Sequence, residues 1–389
     1  MPPHVLPHRL LAVLAAVLLL GGGSSIARGG EGAVRKDPLP LLPPGLHVGT
    51  IYLSDHLEAG SATKQVLDLA FKRCLLAGLK GQDLFAPWDD LEPEPGRYET
   101  KELVRWLDIC KVVGLRPYLV LGTIDTNNLR VPADLKDPKD PLRLRPGLAF
   151  DSPEVVDRFA KLLAVVVPLF VERGGFFLSV GNEVDLFPLD EKGEKAFLGF
   201  LDGARRKVRS LEPRLGVGAT VTFGGLRRKP AFDAQVLRRS DALAITWYPL
   251  DPSMGVRDAS VAAGDLDAMT RAAGGKPILL QEIGYPAGWE PKAGNGSSPD
   301  AQARFVRNVF AALPKHPQVR FLSWFMLNDF PKAAVDRLCS YYRLHADRFA
   351  EYLGTLGMRR ADGTSRPAYD AFVEGLHRVS GPPSTSKAK

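Results

Sequence analysis

The sequence predicts a single (β/α)8 barrel, and three observations carry that expectation. Short β-rich apolar runs alternate with helical patterns at intervals of about 30 residues, the mark of parallel βα units. Eight such runs can be counted in one chain of 389 residues, and closing them into a barrel removes the exposed edges that an open sheet must protect. No Gly-rich phosphate turn of the dinucleotide-binding type follows any of the eight, which disfavours an open doubly wound sheet.

The strand candidates, in chain order, are 48–53, 81–86, 117–122, 176–180, 216–222, 242–247, 277–281 and 320–325. Between them the apolar period lengthens to that of a helix. Leu103, Trp106, Leu107 and Cys110 recur at i, i+3, i+4 and i+7, and Val155, Val156, Phe159, Leu162 and Leu163 repeat the pattern, so each stretch turns one stripe toward a core. With 45% apolar residues, 24% charged residues, 38 Gly and 32 Pro, the chain has the composition of a folded protein rich in strand-to-helix turns.

The ends read differently. His4, His8 and Arg9 precede an apolar run from Leu10 to Leu20, and Ser25-Ile26-Ala27 offers small residues at cleavage spacing, so residues 1–27 are expected to be an export signal. An apolar run of this length falls short of the roughly 20 residues that cross a bilayer, and no Cys follows it to accept a lipid. Residues 28–44 are expected to be a disordered leader, 45–379 the barrel and 380–389 a disordered tail. Removal of the signal lowers the formal charge from +7 to +6. The basic clusters at 205–207, 227–229, 238–239 and 359–360 are scattered, without interleaved aromatics, and read as solvated faces rather than a nucleic-acid groove. Three cysteines cannot all pair within one chain, and Cys74 and Cys110 fall on apolar helix faces, as buried thiols do.

Barrel enzymes place their chemistry on the carboxyl ends of strands. The fourth candidate runs into Gly181-Asn182-Glu183 and the seventh into Gln281-Glu282-Ile283-Gly284, two glutamates 99 residues apart. Three βα units separate them, which sets them across one barrel mouth. Cleaving a glycosidic bond with retention needs one carboxylic acid to protonate the leaving oxygen and one carboxylate to attack the anomeric carbon, at about 5 to 5.5 Å separation. Their pKa values must also differ, which burial and crowding supply. A lone strand-end Glu is more often a salt-bridge partner; two at matched positions point to chemistry.

Asn182-Glu183 and Glu282, so placed, resemble the catalytic signature of the large clan of retaining (β/α)8 glycoside hydrolases, which includes cellulase-like family 5, β-galactosidase family 42 and endo-galactanase family 53. The resemblance implies that Glu183 is the acid/base, Glu282 the nucleophile, and that Asn182 binds the sugar 2-hydroxyl. It implies further that Tyr248, in Thr246-Trp247-Tyr248-Pro249, hydrogen-bonds the nucleophile and that Trp324 floors the subsite at the cleavage point, with Trp247 beside them. The stretch from Trp88 through Glu92-Pro93 to Gly96-Arg97-Tyr98 resembles a loop common in these enzymes; it makes Trp88 a cleft residue and Asp89, Glu92 and Glu94 loop carboxylates. The segment from Gly354 to Tyr369 resembles their closing turn and last helix. The alternative for each aromatic is ordinary core packing.

Family 5 members generally carry an Arg near the first or second strand and a His two residues before the sixth-strand Tyr; here Thr246 stands at the latter position and no Arg is evident. Asp125, Asn127 and Asn128, together with Asp55 and His56, are candidates to replace sugar contacts. The long connection from Asp125 to Phe150 is read equally as a wall of the cleft or as a solvated excursion. No His-x-His or His-Glu-x-x-His spacing points to a metal, no Gly-x-Ser-x-Gly elbow points to a serine hydrolase, and no cofactor is implied. The functional expectation is a secreted or periplasmic, monomeric glycosidase whose partner is a carbohydrate, with neither nucleic acid nor membrane involved. A non-catalytic carbohydrate-binding barrel and a transglycosylase with the same pair are the alternatives.

Overall fold

The computed structural model describes residues 37–52 and 60–380. The barrel strands are β1 (His47–Thr50), β2 (Gly81–Pro87), β3 (Arg116–Gly122), β4 (Phe177–Ser179), β5 in two pieces (Gly216–Gly218 and Thr220–Thr222), β6 (Leu243–Trp247), β7 (Ile278–Ile283) and β8 (Val319–Trp324). All pairings are parallel and follow chain order, and β8 returns to β1. The first piece of β5 pairs with β4 and the second with β6, so closure runs through Ala219. Seven strands fall within two residues of their sequence expectation, and β1 ends at Thr50, three residues short of its own; residue 53 and the candidates Asp55 and His56, in the stretch after β1, lie outside the described residues.

One long helix follows each strand, with single helical turns before two of them at Trp88–Leu91 and Gly225–Arg228: α1 (Ala62–Leu76), α2 (Lys101–Val113), α3 (Pro153–Glu172), α4 (Glu191–Leu211), α5 (Pro230–Arg239), α6 (Ala262–Ala273), α7 (Pro299–Ala312) and α8 (Pro367–Ser380). Their ends follow local rules. Ser61, Asp190 and Ser298 accept backbone N–H groups at the starts of α1, α4 and α7, and left-handed Gly114 and Gly274 stop α2 and α6. Leu103, Leu107 and Cys110 on α2 and Val155, Phe159, Leu162 and Leu163 on α3 are buried, as their period requires. All three cysteines are free and buried. Among the described residues, no helix is long and apolar enough to cross a membrane.

Two cores result from strand alternation. Side chains pointing outward meet the helices in one continuous layer, and those pointing inward at the amino ends form a plug of Tyr118, Val120, Phe176, Phe177, Leu279 and Phe321. Leu39 and Leu42 complete that plug from below, fully buried. Leu39 and Leu42, in the stretch expected to be a disordered leader, are thus packed, because two leucines three residues apart find an open apolar barrel floor. Ser380, expected in the tail, still ends α8 and donates its hydroxyl to Gly78 O at 3.1 Å. Arg359, expected on a solvated face, is buried: its guanidinium lies 4.6 Å over the Tyr369 ring and donates to Gly363 O and Ser365.

Two further helices, Lys332–Tyr342 and Asp347–Gly354, are inserted between β8 and α8. They lie at the carboxyl end of the barrel, packed with Met326, Leu356, Phe325 and Tyr248. The insert is bolted to the loop after β3: Asn127 Nδ2 donates to Tyr342 O at 2.8 Å, and Arg343 donates to Asn128 Oδ1 and Asn127 O, each at 2.9 Å. A second anchor holds the loop after β7. The Glu351 carboxylate accepts the backbone N–H groups of Trp289, Gly294 and Asn295 at 2.8 to 2.9 Å.

Candidate active site

Glu183 and Glu282 both reach the barrel mouth, and each does so by breaking a local rule. In β7, Leu279 faces the floor plug while Leu280 and Ile283 join the helix layer. Strict alternation would send Glu282 outward with Leu280. The register against β8 shifts between Leu280 and Ile283, and this irregularity lets Gln281 and Glu282 both turn inward. Gly284 is required immediately beyond: a Cβ there would lie 2.7 Å from Tyr248 Cε1 and 2.6 Å from Phe325 O. Glu183 takes a left-handed backbone, φ 49°, directly after β4.

Hydroxyls and amides hold both carboxylates. Thr246 Oγ1 donates to Glu183 Oε1 at 2.6 Å and Thr126 Oγ1 to Oε2 at 2.9 Å. Tyr248 OH donates to Glu282 Oε2 at 2.6 Å, and Gln281 Nε2 to Oε1 at 3.2 Å. Burial pushes the Glu183 carboxyl up to about 7 against the pull of the two threonines. Burial also raises Glu282 well above the carboxylate range, and the charges of Glu183 and Asp83 add to the shift. None of the leading influences on either glutamate is a cation. A charge on Glu183 thus disfavours a second charge on Glu282.

The partners of the pair differ in kind. A threonine hydroxyl donates to a carboxylate and rotates to accept from a carboxylic acid, so it serves both protonation states of Glu183. The Gln281 amide N–H only donates, and favours the ionised form of Glu282. Chemically the arrangement offers two raised carboxyls, with hydroxyls that serve either protonation state of Glu183 and an amide that opposes the protonation of Glu282 that burial favours.

Other expected site residues divide. Asn182 is buried and its Nδ2 donates to Asp125 Oδ1 at 3.2 Å, while its own Oδ1 has no partner among the described residues. Asp125 also accepts from Tyr341 OH at 2.7 Å, and burial raises its carboxyl. Tyr248 is where the resemblance implies. The three tryptophans are not: Trp88, Trp247 and Trp324 are completely buried in the helix layer. Trp88 packs on Phe159 and Phe200, Trp247 on Phe223 and Phe305, and Trp324 on Phe305 and Phe372. They occupy outward positions of their strands or the turn that follows, so none faces a ligand. Glu92 is structural as expected, accepting from Trp88 Nε1 at 2.7 Å and Arg158 Nε at 3.0 Å, and Asp89 pairs with Arg130 and Lys136.

The open aromatics of the mouth are residues that sequence reading passed over. Phe85 is 41% exposed although it lies within β2. Its neighbours Leu84 and Ala86 join the helix layer, so Phe85 faces inward, and its ring lies over Gly122, where a Cβ would come within 2.9 Å. Phe325, one residue past Trp324, is partly exposed and meets the Tyr248 ring edge-on. Tyr341 and Tyr342 come from the insert. The sequence signal for Phe85 was its parity with Asp83, which also points inward and bonds Gln281. Among the described residues, no cluster of three or more His, Cys, Asp or Glu could hold a metal ion.

A closed eight-stranded barrel whose mouth gathers two half-buried, hydroxyl-held glutamates is a (β/α)8 barrel with paired carboxyls at the carboxyl ends of its strands. The chain has the barrel fold of glycoside hydrolases. It is similar to a glutamate-to-alanine variant of a GH5_18 protein from Bifidobacterium longum subsp. longum in complex with Manβ1-4GlcNAc, at 16% identity, with 86% of this chain and 78% of that chain covered and a TM-score of 0.64. It is similar also to a GH5_18 variant from Streptomyces cattleya in complex with the same disaccharide, at 18% identity over 87% of this chain and 82% of that one, TM-score 0.63. An exo-β-1,4-mannosidase from an Opitutaceae bacterium matches at 18% identity over 86% of this chain and 60% of that one, TM-score 0.63. No family model and no curated protein sequence matches the chain.

Proposed function

We propose that the protein is an exported glycoside hydrolase that cleaves O-glycosidic bonds of an oligo- or polysaccharide with retention, Glu183 serving as acid/base and Glu282 as nucleophile. One observation carries the reading: the glutamate after β4 and the glutamate in β7 share one mouth, burial raises both carboxyls, the Glu183 charge raises Glu282 further, and both are held by hydroxyls and an amide rather than by cations. In the first step Glu282 attacks the anomeric carbon while protonated Glu183 gives its proton to the leaving oxygen. The charge then resides on Glu183, which takes a proton from water as that water displaces the glycosyl group from Glu282. Tyr248 steadies the nucleophile, and Asn182, fixed by Asp125, presents its free Oδ1 toward the sugar hydroxyls.

The partly exposed Phe85, Phe325, Tyr341 and Tyr342 supply apolar faces for a pyranose ring. The similar structures bind or act on β-mannosides, so β-mannosides belong among the first substrates to try. The charged start and short apolar run of residues 1–27 support export. The test is a screen of aryl β-glycosides and oligosaccharides with wild type, Glu183→Ala and Glu282→Ala. Wild type is expected to turn over at least one of them with retained anomeric configuration. Each substitution is expected to lower kcat on the order of 10⁴-fold, and azide to restore the Glu282 variant. Full activity in both variants would overturn the reading.

A further inference from the structure

β3 and β4 run out of the barrel side by side. Asp125 and Asn182 still pair as a parallel bridge, and Asn182 N donates to Ile124 O at 2.9 Å while Thr126 N donates to Asn182 O at 3.0 Å. At the very next residue both chains turn left-handed, Thr126 at φ 57° and Glu183 at φ 49°. The paired turn brings their side chains together, so that the Thr126 hydroxyl meets Glu183 Oε2 at 2.9 Å.

Threonine is a poor choice for that backbone. A β-branched residue in the left-handed region is an outlier, whereas Gly adopts it freely and Asn readily. Strain of this kind persists where the surroundings impose it, and it collects at functional sites. Here the side chain identifies what the strain serves: it delivers a hydroxyl to the oxygen that the Thr246 hydroxyl leaves free.

We infer that Thr126 is a positioning residue for Glu183, fixing the rotamer of the acid/base and stabilising its ionised form through a hydroxyl that can also reverse its bond when the carboxyl is protonated. This rests on the proposed role of Glu183. The other ionisable groups around Glu183 are Glu282 from β7, Asp125 from β3, Asp185 on its own loop, Tyr248 next to β6, and Tyr342 and Tyr352 from the insert. Every one is acidic, so the two threonine hydroxyls are what offsets them.

The experiment compares Thr126→Val, which keeps shape and strain but loses the hydroxyl, with Thr126→Ser, which keeps the hydroxyl, and Thr126→Gly, which relieves the backbone. Aryl glycosides of graded leaving-group ability separate acid assistance from everything else. Thr126→Val and Thr126→Gly are expected to lose on the order of 10- to 100-fold in kcat/KM on poor leaving groups. On dinitrophenyl glycosides, which depart without a proton, the loss should stay within about threefold. Losing a donor to the ionised form raises the Glu183 pKa, so the alkaline limb of the pH profile is expected to move up by about one unit, a tenfold change in proton affinity. Thr126→Ser is expected to match wild type in both respects.

An unmoved alkaline limb with equal losses on all leaving groups would reduce Thr126 to a structural residue and overturn the inference, as would full activity in Thr126→Gly. Titration of the carboxyls by NMR, with Glu183→Gln to assign the signal, reads the same pKa shift without turnover. A shift there in a protein inactive on every glycoside would sink the proposed function while leaving the Thr126–Glu183 coupling intact.

Discussion

The two ends of this barrel are built from the same strands and are opposites. At the amino end Tyr118, Phe177 and Phe321 stack at 5.2 to 5.5 Å, Leu39 and Leu42 close the floor, and the polar groups are few: the Tyr118 hydroxyl, which meets Thr220 Oγ1 at 3.0 Å, and buried His47, whose Nε2 meets Pro43 O at 3.1 Å. At the carboxyl end lie two raised glutamates, a raised Asp83 beneath them, two left-handed non-glycine residues and a register irregularity. Asp83 Oδ1, Gln281 Oε1 and Asn182 Oδ1 have no partners there among the described residues. The contrast teaches that the stability of one end holds the other in a conformation it would not choose. Close packing below permits unpaired acceptors and like charges above.

Three measurements break or sharpen that division, taken from the largest effect to the smallest. Phe321→Ala removes a ring packed between Tyr118, Phe176 and Gly81, and is expected to cost about 3–5 kcal/mol of stability. Chemical denaturation measures the loss, and kcat of the remaining folded protein should be unchanged; a large fall in kcat would show that the ends are not separable.

Asp83 comes next. Burial pushes its carboxyl up to about 8, against an ordinary value near 3.8. A folded pKa raised above the unfolded one means that the native state holds its proton more tightly. Stability from this group is therefore complete below about pH 4 and is lost as pH rises toward 8. Glu183, pushed up to about 7, acts in the same direction. The melting temperature of wild type is expected to fall between pH 5 and 9. Asp83→Asn should lessen that fall, gaining about 1–3 kcal/mol at the alkaline end. A pH-independent melting temperature would contradict the burial of a carboxyl whose Oδ1 has no partner among the described residues.

The smallest effect separates two aromatics. Phe85→Ala is expected to raise KM for the substrate about tenfold, roughly 1.4 kcal/mol of stacking, with little change in stability. Trp324→Phe is expected to leave KM unchanged and to cost only stability, because its ring lies among Phe305 and Phe372. The reverse result would return Trp324 to the cleft.

Much of the fold was legible because it depends on patterns that a strand or helix carries within itself. The eight apolar runs, the stripes on α2 and α3 and the helix stops are local facts, and the strands stand close to where the period puts them. Glu183, Glu282 and Tyr248 were legible as polar residues at strand ends. The aromatic lining was misread by one residue at β8, where Trp324 stands beside the mouth-facing Phe325, and by three at β2, where Trp88 lies just beyond the strand that carries the inward Phe85.

By itself, then, the sequence determined the number and order of the staves, the helices between them and the two acidic strand ends, since hydrophobic period and chain order are properties of neighbouring residues. Only the tertiary structure decided which face each aromatic takes, that Leu39 and Leu42 seal the floor, that the insert covers the mouth, and that Thr126 bonds Glu183. Successive strand residues point to opposite sides, so an uncertainty of one residue at a strand end exchanges cleft for core. The turn that joins Thr126 to Glu183 exists because β3 and β4 leave the barrel together, a juxtaposition of residues 57 apart in the chain that no local pattern encodes.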